Sequence, residues 1–384
     1  MSGTFTTETM EGMPDGGSQV LDYDPTVVSL VLTMSDVGGG GVIEPTDSTT
    51  FSATGSSTIN TSQTTTANLF DYLGGQHGGG DGGGTAFLRK PIQIAMAGDG
   101  GLAELFSPGV TTLYNAWFRA TGRLSDLDGS GATPGFKTKS GGFMGGIDRG
   151  FGDGVLAGIA FGFDQTYIDE DNGNSGHVST PRVALYGTYE TGPLAFDATL
   201  GYAHHFIDTR RLVTATAQTA EADHGGDEIA AAVQASYRIE AGDVTITPRA
   251  GAMYTHLSEE SFVESGAPGF NLTVASRNTE SLRPFVGVDI AKSFAMEDGT
   301  KLKPQLNLEY SRETMDDAPS STVSVGGGTF TVRGLEPSED RVTAGLTLDA
   351  EVDNRLSFHA GYQAVLPTGN LFAQAVEVGL TYKF

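Results

Sequence analysis

From Trp117 to the C-terminus the chain alternates, apolar against small or polar, in one run after another. The last run, residues 371–384, shows the pattern. Phe372, Val376, Val378, Leu380, Tyr382 and Phe384 share the even positions with Gln374. Ala373, Ala375, Glu377, Gly379, Thr381 and Lys383 take the odd ones. Successive side chains of a strand point to opposite faces, so a period of two specifies a strand with one greasy face. One such strand would suit a soluble sandwich. About twelve in succession, with Gly- and Asp-rich breaks between them, constrain the chain far more. They include Val155–Phe163, Val183–Tyr189, Leu194–Tyr202, Ile229–Tyr237, Val244–Tyr254, Leu282–Ile290, Leu302–Tyr310, Val342–Leu348 and Leu356–Tyr362.

Two features separate this pattern from a sandwich. The non-apolar face is Gly, Ala and Thr with isolated charges rather than a lysine-dotted solvent face, which suits a crowded polar lumen. Tyr189, Tyr202, Tyr237, Tyr254, Tyr310, Tyr362 and Tyr382 fall near strand ends on the apolar side, as an interfacial girdle requires. The connections also alternate in length. Tight turns at 151–154, 191–193, 240–243, 297–299 and 352–354 separate polar stretches around 122–138, 165–179, 206–227, 257–279 and 312–337. The expectation is an all-β, antiparallel transmembrane barrel of about twelve strands spanning 117–384, its short turns on one rim and its long loops on the other. Pro248, Pro284 and Pro304 lie inside expected strands. Proline removes a ladder donor, so bulges or bends are expected there.

Composition narrows the function. With 22 Lys+Arg against 47 Asp+Glu, the net charge of −25 leaves no basic footprint for nucleic acid. No run of about 18 apolar residues is present for a transmembrane helix, a test that strands escape. The chain has no Cys, which removes thiol chemistry and disulfides. The opening Met1-Ser2-Gly3-Thr4-Phe5 lacks a basic start and apolar core, so the expectation is either a cytosolic chain or a C-terminal piece whose true N-terminus lies upstream.

Upstream of the barrel the text is irregular. Residues 1–40 carry short β-rich pieces, Gly3–Thr7, Tyr23 and Val27–Leu32, too few to bury a core alone. Residues 41–101 read as a Gly/Ser/Thr-rich linker with about two turns of helix at Thr66–Leu73. The tract His77–Gly84 lacks the preceding strand and following Lys-Ser/Thr of a phosphate loop, so it reads as linker too.

The segments Trp117–Gly122, Ser140–Asp148 and Gly158–Phe163 resemble the opening strands of the C-terminal translocator domains of type V secretion autotransporters. Leu185-Tyr186-Gly187 and Phe262–Ala267 match further habits of that family, as does the final Glu377-x-Gly379-x-x-Tyr382-x-Phe384. The resemblance covers about residues 110–384. It implies a barrel in the Gram-negative outer membrane that anchors an N-terminal passenger and helps export it to the cell surface. An outer-membrane pore or adhesin-type barrel without a passenger is the alternative. The resemblance also implies that 1–40 is the end of a passenger β-helix and that a helix threads the lumen. The departure here is that Gly-rich tracts replace the usual long linker helix, so the lumen helix is expected at 102–116. By the same resemblance, Gly379, Tyr382 and Phe384 form a signal read by the barrel-assembly machinery. The implied partners are that machinery, periplasmic chaperones, outer-membrane lipid and the chain's own passenger segment; the chain is expected to be a monomer.

Catalytic signatures are weak. No Gly-x-Ser-x-Gly elbow occurs. His77, His177, His204, His205, His224, His256 and His359 scatter over loops and strand ends, and His204-His205 reads as a polar rim pair. Asp126-x-Asp128-Gly129 and Asp169-x-Asp171-x-Gly173 open like calcium loops but lack the twelfth-position Glu. Some members of the resembled family cleave their own passenger at an Asn, and nothing around Asn68 or Asn115 suggests activation. Neither enzyme activity, cofactor nor metal is expected. The charges Arg119, Asp148, Arg182, Arg238, Arg249, Arg283, Glu309, Arg341 and Asp349 fall on the small or polar face. As lumen groups they should pair across the pore or with the threaded segment, since unpaired buried charge is costly.

Overall fold

The computed structural model describes residues 17–23, 28–34, 48–77 and 114–384, apart from 132, 215, 316–319, 336 and 368. The chain divides into two compact units, Met1–Glu44 and Pro45–Phe384. In the first, Gly17–Tyr23 pairs antiparallel with Val28–Met34. Successive rungs of a β-helix pair in parallel, and this hairpin differs from that expectation.

The second unit is a closed barrel of twelve strands. They are β1 (Tyr114–Leu127), β2 (Phe136–Gly152), β3 (Val155–Glu170), β4 (Ser175–Thr191), β5 (Leu194–Val213), β6 (Gln218–Tyr237), β7 (Val244–Glu259), β8 (Arg277–Lys292), β9 (Lys301–Arg312), β10 (Asp340–Glu351), β11 (Leu356–Val365) and β12 (Leu371–Lys383). Each pairs antiparallel with its neighbours in sequence, and β12 pairs with β1 from Leu371↔Leu127 to Lys383↔Asn115. Closure leaves no edge, the condition for strands to cross lipid. The terminal residue completes it: Tyr114 and Phe384 exchange both main-chain hydrogen bonds, at 3.0 and 2.9 Å.

The apolar face points outward. Phe161 is 60% exposed and Leu346 61%, and Leu185, Leu200, Val233, Val376 and Val378 are likewise exposed. A continuous apolar belt of this kind needs lipid rather than water. Tyr189, Tyr237 and Tyr382 mark its lower edge, and Tyr202, Tyr310 and Tyr362 lie exposed nearer the loop rim. Eight residues separate Tyr202 from Leu194, the partner of Tyr237. Along a tilted strand that is roughly 20 Å, close to the hydrophobic height of an outer-membrane barrel. At the upper edge the Tyr202 hydroxyl donates to Asp227 (2.6 Å) and the Tyr310 hydroxyl to Asp340 (2.6 Å).

The two rims differ, but less in loop length than the sequence suggested. Gly192 and Gly242 occupy tight turns at φ 62° and 65°. The stretches 165–179 and 206–227, expected as loops, are mostly strand, because β3–β4 and β5–β6 continue upward beyond the girdle as hairpins. Outside lipid the outward positions turn polar, which reads as loop in a hydropathy pattern although the ladder continues. The genuine loops at 260–276 and 313–339 build a small sheet, ordered Phe262–Val263, Thr273–Val274, Ser320–Val325, Gly328–Arg333.

The prolines cause no bulge. The β6 ladder against β7 skips the two positions opposite Thr247 and Pro248 and resumes at Ile239–Ala241 in the same register. Pairing of β8 with β9 begins at Phe285, just past Pro284, and is interrupted opposite Pro304 before Phe294↔Leu302. Pro181 in β4 likewise sits in a gap between Ser179↔Phe206 and Arg182↔Ala203. Each missing donor falls where a ladder lapses or stops, so register survives. A register shift lies elsewhere, between Gly150 and Gly152 of β2.

Among the described residues one helix, α1 (Thr50–Gln76), occupies the lumen. This corrects the sequence reading twice. The supposed linker is helical from Thr50, well before the two turns expected at Thr66–Leu73. Of the helix expected at 102–116, residues 102–113 lie outside the described residues, and Tyr114–Ala116 already belong to β1.

Candidate functional site

The site is the contact between α1 and the barrel wall. At about 1.5 Å per residue its 27 residues span roughly 40 Å, rim to rim. Its N-terminus lies at the long-loop rim, where the Thr49 and Thr50 hydroxyls both donate to Glu170 at the top of β3 (3.1 Å each). Its C-terminus lies at the short-turn rim. There His77, just past the helix, meets Asp197 near the start of β5 (2.8 Å) and Thr188 near the end of β4 (3.1 Å).

The lower half is an aromatic lock. Leu69, Phe70, Tyr72 and Leu73 pack against Trp117, Met144, Leu156, Tyr186, Met253 and Phe285. The Tyr72 ring stacks on Trp117 at 4.6 Å, with the Arg119 guanidinium 5.6 Å from its centre. The Tyr72 hydroxyl donates to Asp148 at 2.5 Å. Asp148 also accepts from Tyr186 (2.9 Å) and Asn115 (2.6 Å), and Trp117 donates to Tyr186 (2.6 Å). The buried carboxylate thus collects three donors, which is what makes its burial tolerable.

The middle is polar. Ser62 donates to Glu228 (2.5 Å), and Gln63 to Ser281 (2.7 Å). Asn68 donates to Thr121 (3.2 Å), and its carbonyl accepts from Arg119 (3.3 Å). The Asn60 carbonyl accepts from Arg123 (3.3 Å) and its side chain from Arg341 (3.1 Å). At the top, Phe51 is fully buried among Leu272, Val274, Val323 and Val332 of the loop sheet, edge-on to Phe262. Arg277 donates to the Phe51 carbonyl while pairing with Glu259. Ala53 sits in a second apolar cluster with Leu127, Phe136, Ile168, Ile207 and Leu371. Together these close the upper mouth.

Arg119 pairs with Glu377 (2.5 Å), Arg182 with Asp164 (2.8 Å), and Arg283 with Glu313 (3.0 Å). Asp349 meets His359 (2.7 Å), which also reaches Glu377 (3.3 Å). Arg249 holds Glu309 (2.6 Å) and Asp289 (3.4 Å), so it braces the wall, whereas Arg119, Asp148 and Arg341 touch α1. Arg238 lines a small cavity near the short-turn rim. His204 and His205 face opposite ways, His204 outward to Asp227 (2.9 Å) and His205 inward to Glu228 (3.2 Å), so they form no joint site. Asn115 and Asn68 both serve as donors to the wall.

Sequence reading passed over Asn60, Ser62, Arg123 and Glu228. Arg123 and Glu228 sit on the inward face of their strands, so alternation alone could have found them. Asn60 and Ser62 could not be found while their segment read as linker.

Within the final strand, Gly379 lies opposite Arg119. A Cβ there would stand 2.7 Å from Arg119 Cγ and 2.8 Å from the Phe118 carbonyl, so the packing of the Arg119–Glu377 pair requires glycine. Tyr382 and Phe384 face outward, and Phe384 stacks on Tyr114 at 5.9 Å.

The comparisons agree with this geometry. The translocator domain of autotransporter NalP from Neisseria meningitidis matches with a TM-score of 0.58 at 17% identity, covering 73% of this chain and 92% of that one. The beta domain of the Bordetella autotransporter BrkA matches with a TM-score of 0.53 at 17% identity, covering 70% and 98%. Among curated proteins, an extracellular serine protease of Serratia marcescens is 23% identical over 273 residues, 70% of this chain and 26% of that protein. Outer membrane protein A of Rickettsia conorii is 23% identical over 232 residues, 57% and 11%. The chain thus spans about a quarter or less of the curated relatives it matches. The family model for the autotransporter beta-domain matches residues 116–363, well over half of the chain, and the protein therefore belongs to the autotransporter beta-domain family of the Gram-negative outer membrane.

Proposed function

We propose that the barrel anchors an N-terminal passenger in the outer membrane and helps export it to the cell surface, with α1 as the trailing segment left in the lumen. The observation that carries this reading is the direction of α1. Its first residues, Thr49 and Thr50, lie at the long-loop rim, while β1 begins and β12 ends at the short-turn rim beside its C-terminus. Residues 1–40 are the passenger's end in this reading. The barrel does no chemistry of its own; it supplies a closed wall and a polar conduit. Gly379, Tyr382 and Phe384 present the last strand to the assembly machinery, with periplasmic chaperones as earlier partners, and the barrel works as a monomer.

The test is an epitope at Met1 of a periplasmically targeted chain. Intact cells should bind antibody at the surface and lose the epitope to added protease. A folded, heat-modifiable barrel whose epitope stays periplasmic would favour a pore without a passenger. Tyr382→Asp should leave the chain uninserted in the periplasm; normal insertion would remove the signal role.

A further inference from the structure

Two buried cations in the lumen lack an ion-pair partner among the described residues, the carboxylates near them being Asp164, held by Arg182, and Glu313, held by Arg283. Arg123 on β1 is 7% exposed and Arg341 on β10 is 8% exposed. Both guanidinium groups converge on Asn60 of α1, one on its carbonyl and one on its side-chain oxygen. Neither forms an ion pair among the described residues, and the Nε of each has no hydrogen-bond partner there. Arg283 on β8, 5% exposed, lines the same cavity. Glu313 occupies its Nη2, leaving its Nε and Nη1 unpartnered.

The cavity between α1 and this wall measures about 120 Å³, and Asn60, Gln63 and Ser311 line it with the three arginines. Its carboxylates are committed elsewhere or distant. Glu309 is on Arg249, and Glu377 is shared by Arg119 and His359. Asp71 lies eleven residues down the helix from Asn60, roughly 16 Å away. Arginine does not escape by losing its proton. Uncompensated buried charge is costly, and a guanidinium offers the donor geometry that an oxyanion accepts.

We propose that Arg123, Arg283 and Arg341 form a lumen site for a small inorganic oxyanion of the phosphate or sulfate class, seated beside Asn60. The site holds α1 to β1, β8 and β10 of the wall through a bridging charge, independently of what the barrel exports.

The test uses the refolded full chain in detergent, with inorganic phosphate as the probe at constant ionic strength. The midpoint of thermal unfolding, read by heat-modifiable gel mobility, should rise with phosphate and saturate. Arg123→Gln/Arg341→Gln should weaken the apparent affinity by about tenfold or more, the loss expected from removing charge-assisted donors. Asn60→Asp is the second arm, because it places a carboxylate where the anion would sit. It should raise the midpoint without phosphate and abolish the phosphate response, whether or not the arginine variants fold. Three results overturn the proposal: a wild-type midpoint indifferent to phosphate, an unchanged response in the double variant, or a lowered midpoint in Asn60→Asp. Equal protection by chloride overturns the oxyanion assignment.

Discussion

Replacing Tyr72 by Phe removes one hydroxyl and leaves the rest of the lower lock in place. The ring keeps its stack on Trp117 and its place under Arg119, and Asp148 keeps Tyr186 and Asn115. What disappears is one buried, charge-assisted hydrogen bond of 2.5 Å. Such bonds contribute about 1.5–3 kcal/mol, and the deprived carboxylate here has two remaining donors, so about 2 kcal/mol is the estimate. That loss falls on docking of α1 and not on barrel closure, because every strand ladder is untouched. At 1.4 kcal/mol per factor of ten, the undocked fraction should rise roughly 30-fold. The assay is conductance of the reconstituted barrel in a planar bilayer, with proteolysis of α1 as a second readout. Open events and cleavage should both increase while cold gel mobility stays that of a folded barrel. Conductance and cleavage identical to the parent would refute the claim that the Tyr72–Asp148 contact holds the helix.

Three further outcomes are expected. Phe51→Ala empties the pocket beneath the loop sheet and should cost about 3–5 kcal/mol of docking at the upper mouth; protease added from the loop side should then cut α1 near Thr50 faster. Gly379→Ala drives a methyl into Arg119 and the Phe118 carbonyl. It should destabilise β1–β12 closure by about 1–3 kcal/mol, read as a lower temperature for the gel-mobility shift. A synthetic peptide of residues 48–77 should be largely unstructured by circular dichroism in water; stable helix there would mean that the lumen does not create α1.

The barrel was legible because its signal is redundant. Each strand states the same period of two, and an error in one, such as the expected bulge at Pro248, leaves the others intact. The strand tops were missed because outward residues such as Asp208 and Asp223 are polar where no lipid covers them, although they face each other in a continuous ladder. The lumen charges were legible by face but not by partner. Alternation places Arg249 and Arg341 inside, yet only coordinates separate the one that braces Glu309 from the one that reaches Asn60. The helix was misread for a different reason. Its sequence lacks the features by which a helix announces itself in water.

Of the 27 residues of α1, eleven are Ser or Thr and three are Gly. Relative to alanine these cost about 0.5 and 1 kcal/mol each, so the segment carries a propensity deficit of roughly 8 kcal/mol. Ser and Thr are poor helix formers in water because their hydroxyls compete for the backbone. Inside the barrel that competition is redirected. Thr54, Thr64 and Thr65 donate back to carbonyls one turn earlier, while Thr49, Thr50 and Ser62 donate to wall carboxylates. Short side chains also let a helix fit a lumen already crowded by Arg119, Arg123 and Arg341. The segment that reads as a linker is thus matched to two environments, unstructured and soluble outside the barrel, helical and hydrogen-bonded within it. A Leu/Ala-rich helix would be stable in both and would gain less from the wall. The polar composition makes the helical state conditional on the barrel, and so couples completion of the barrel to capture of the segment that threads it.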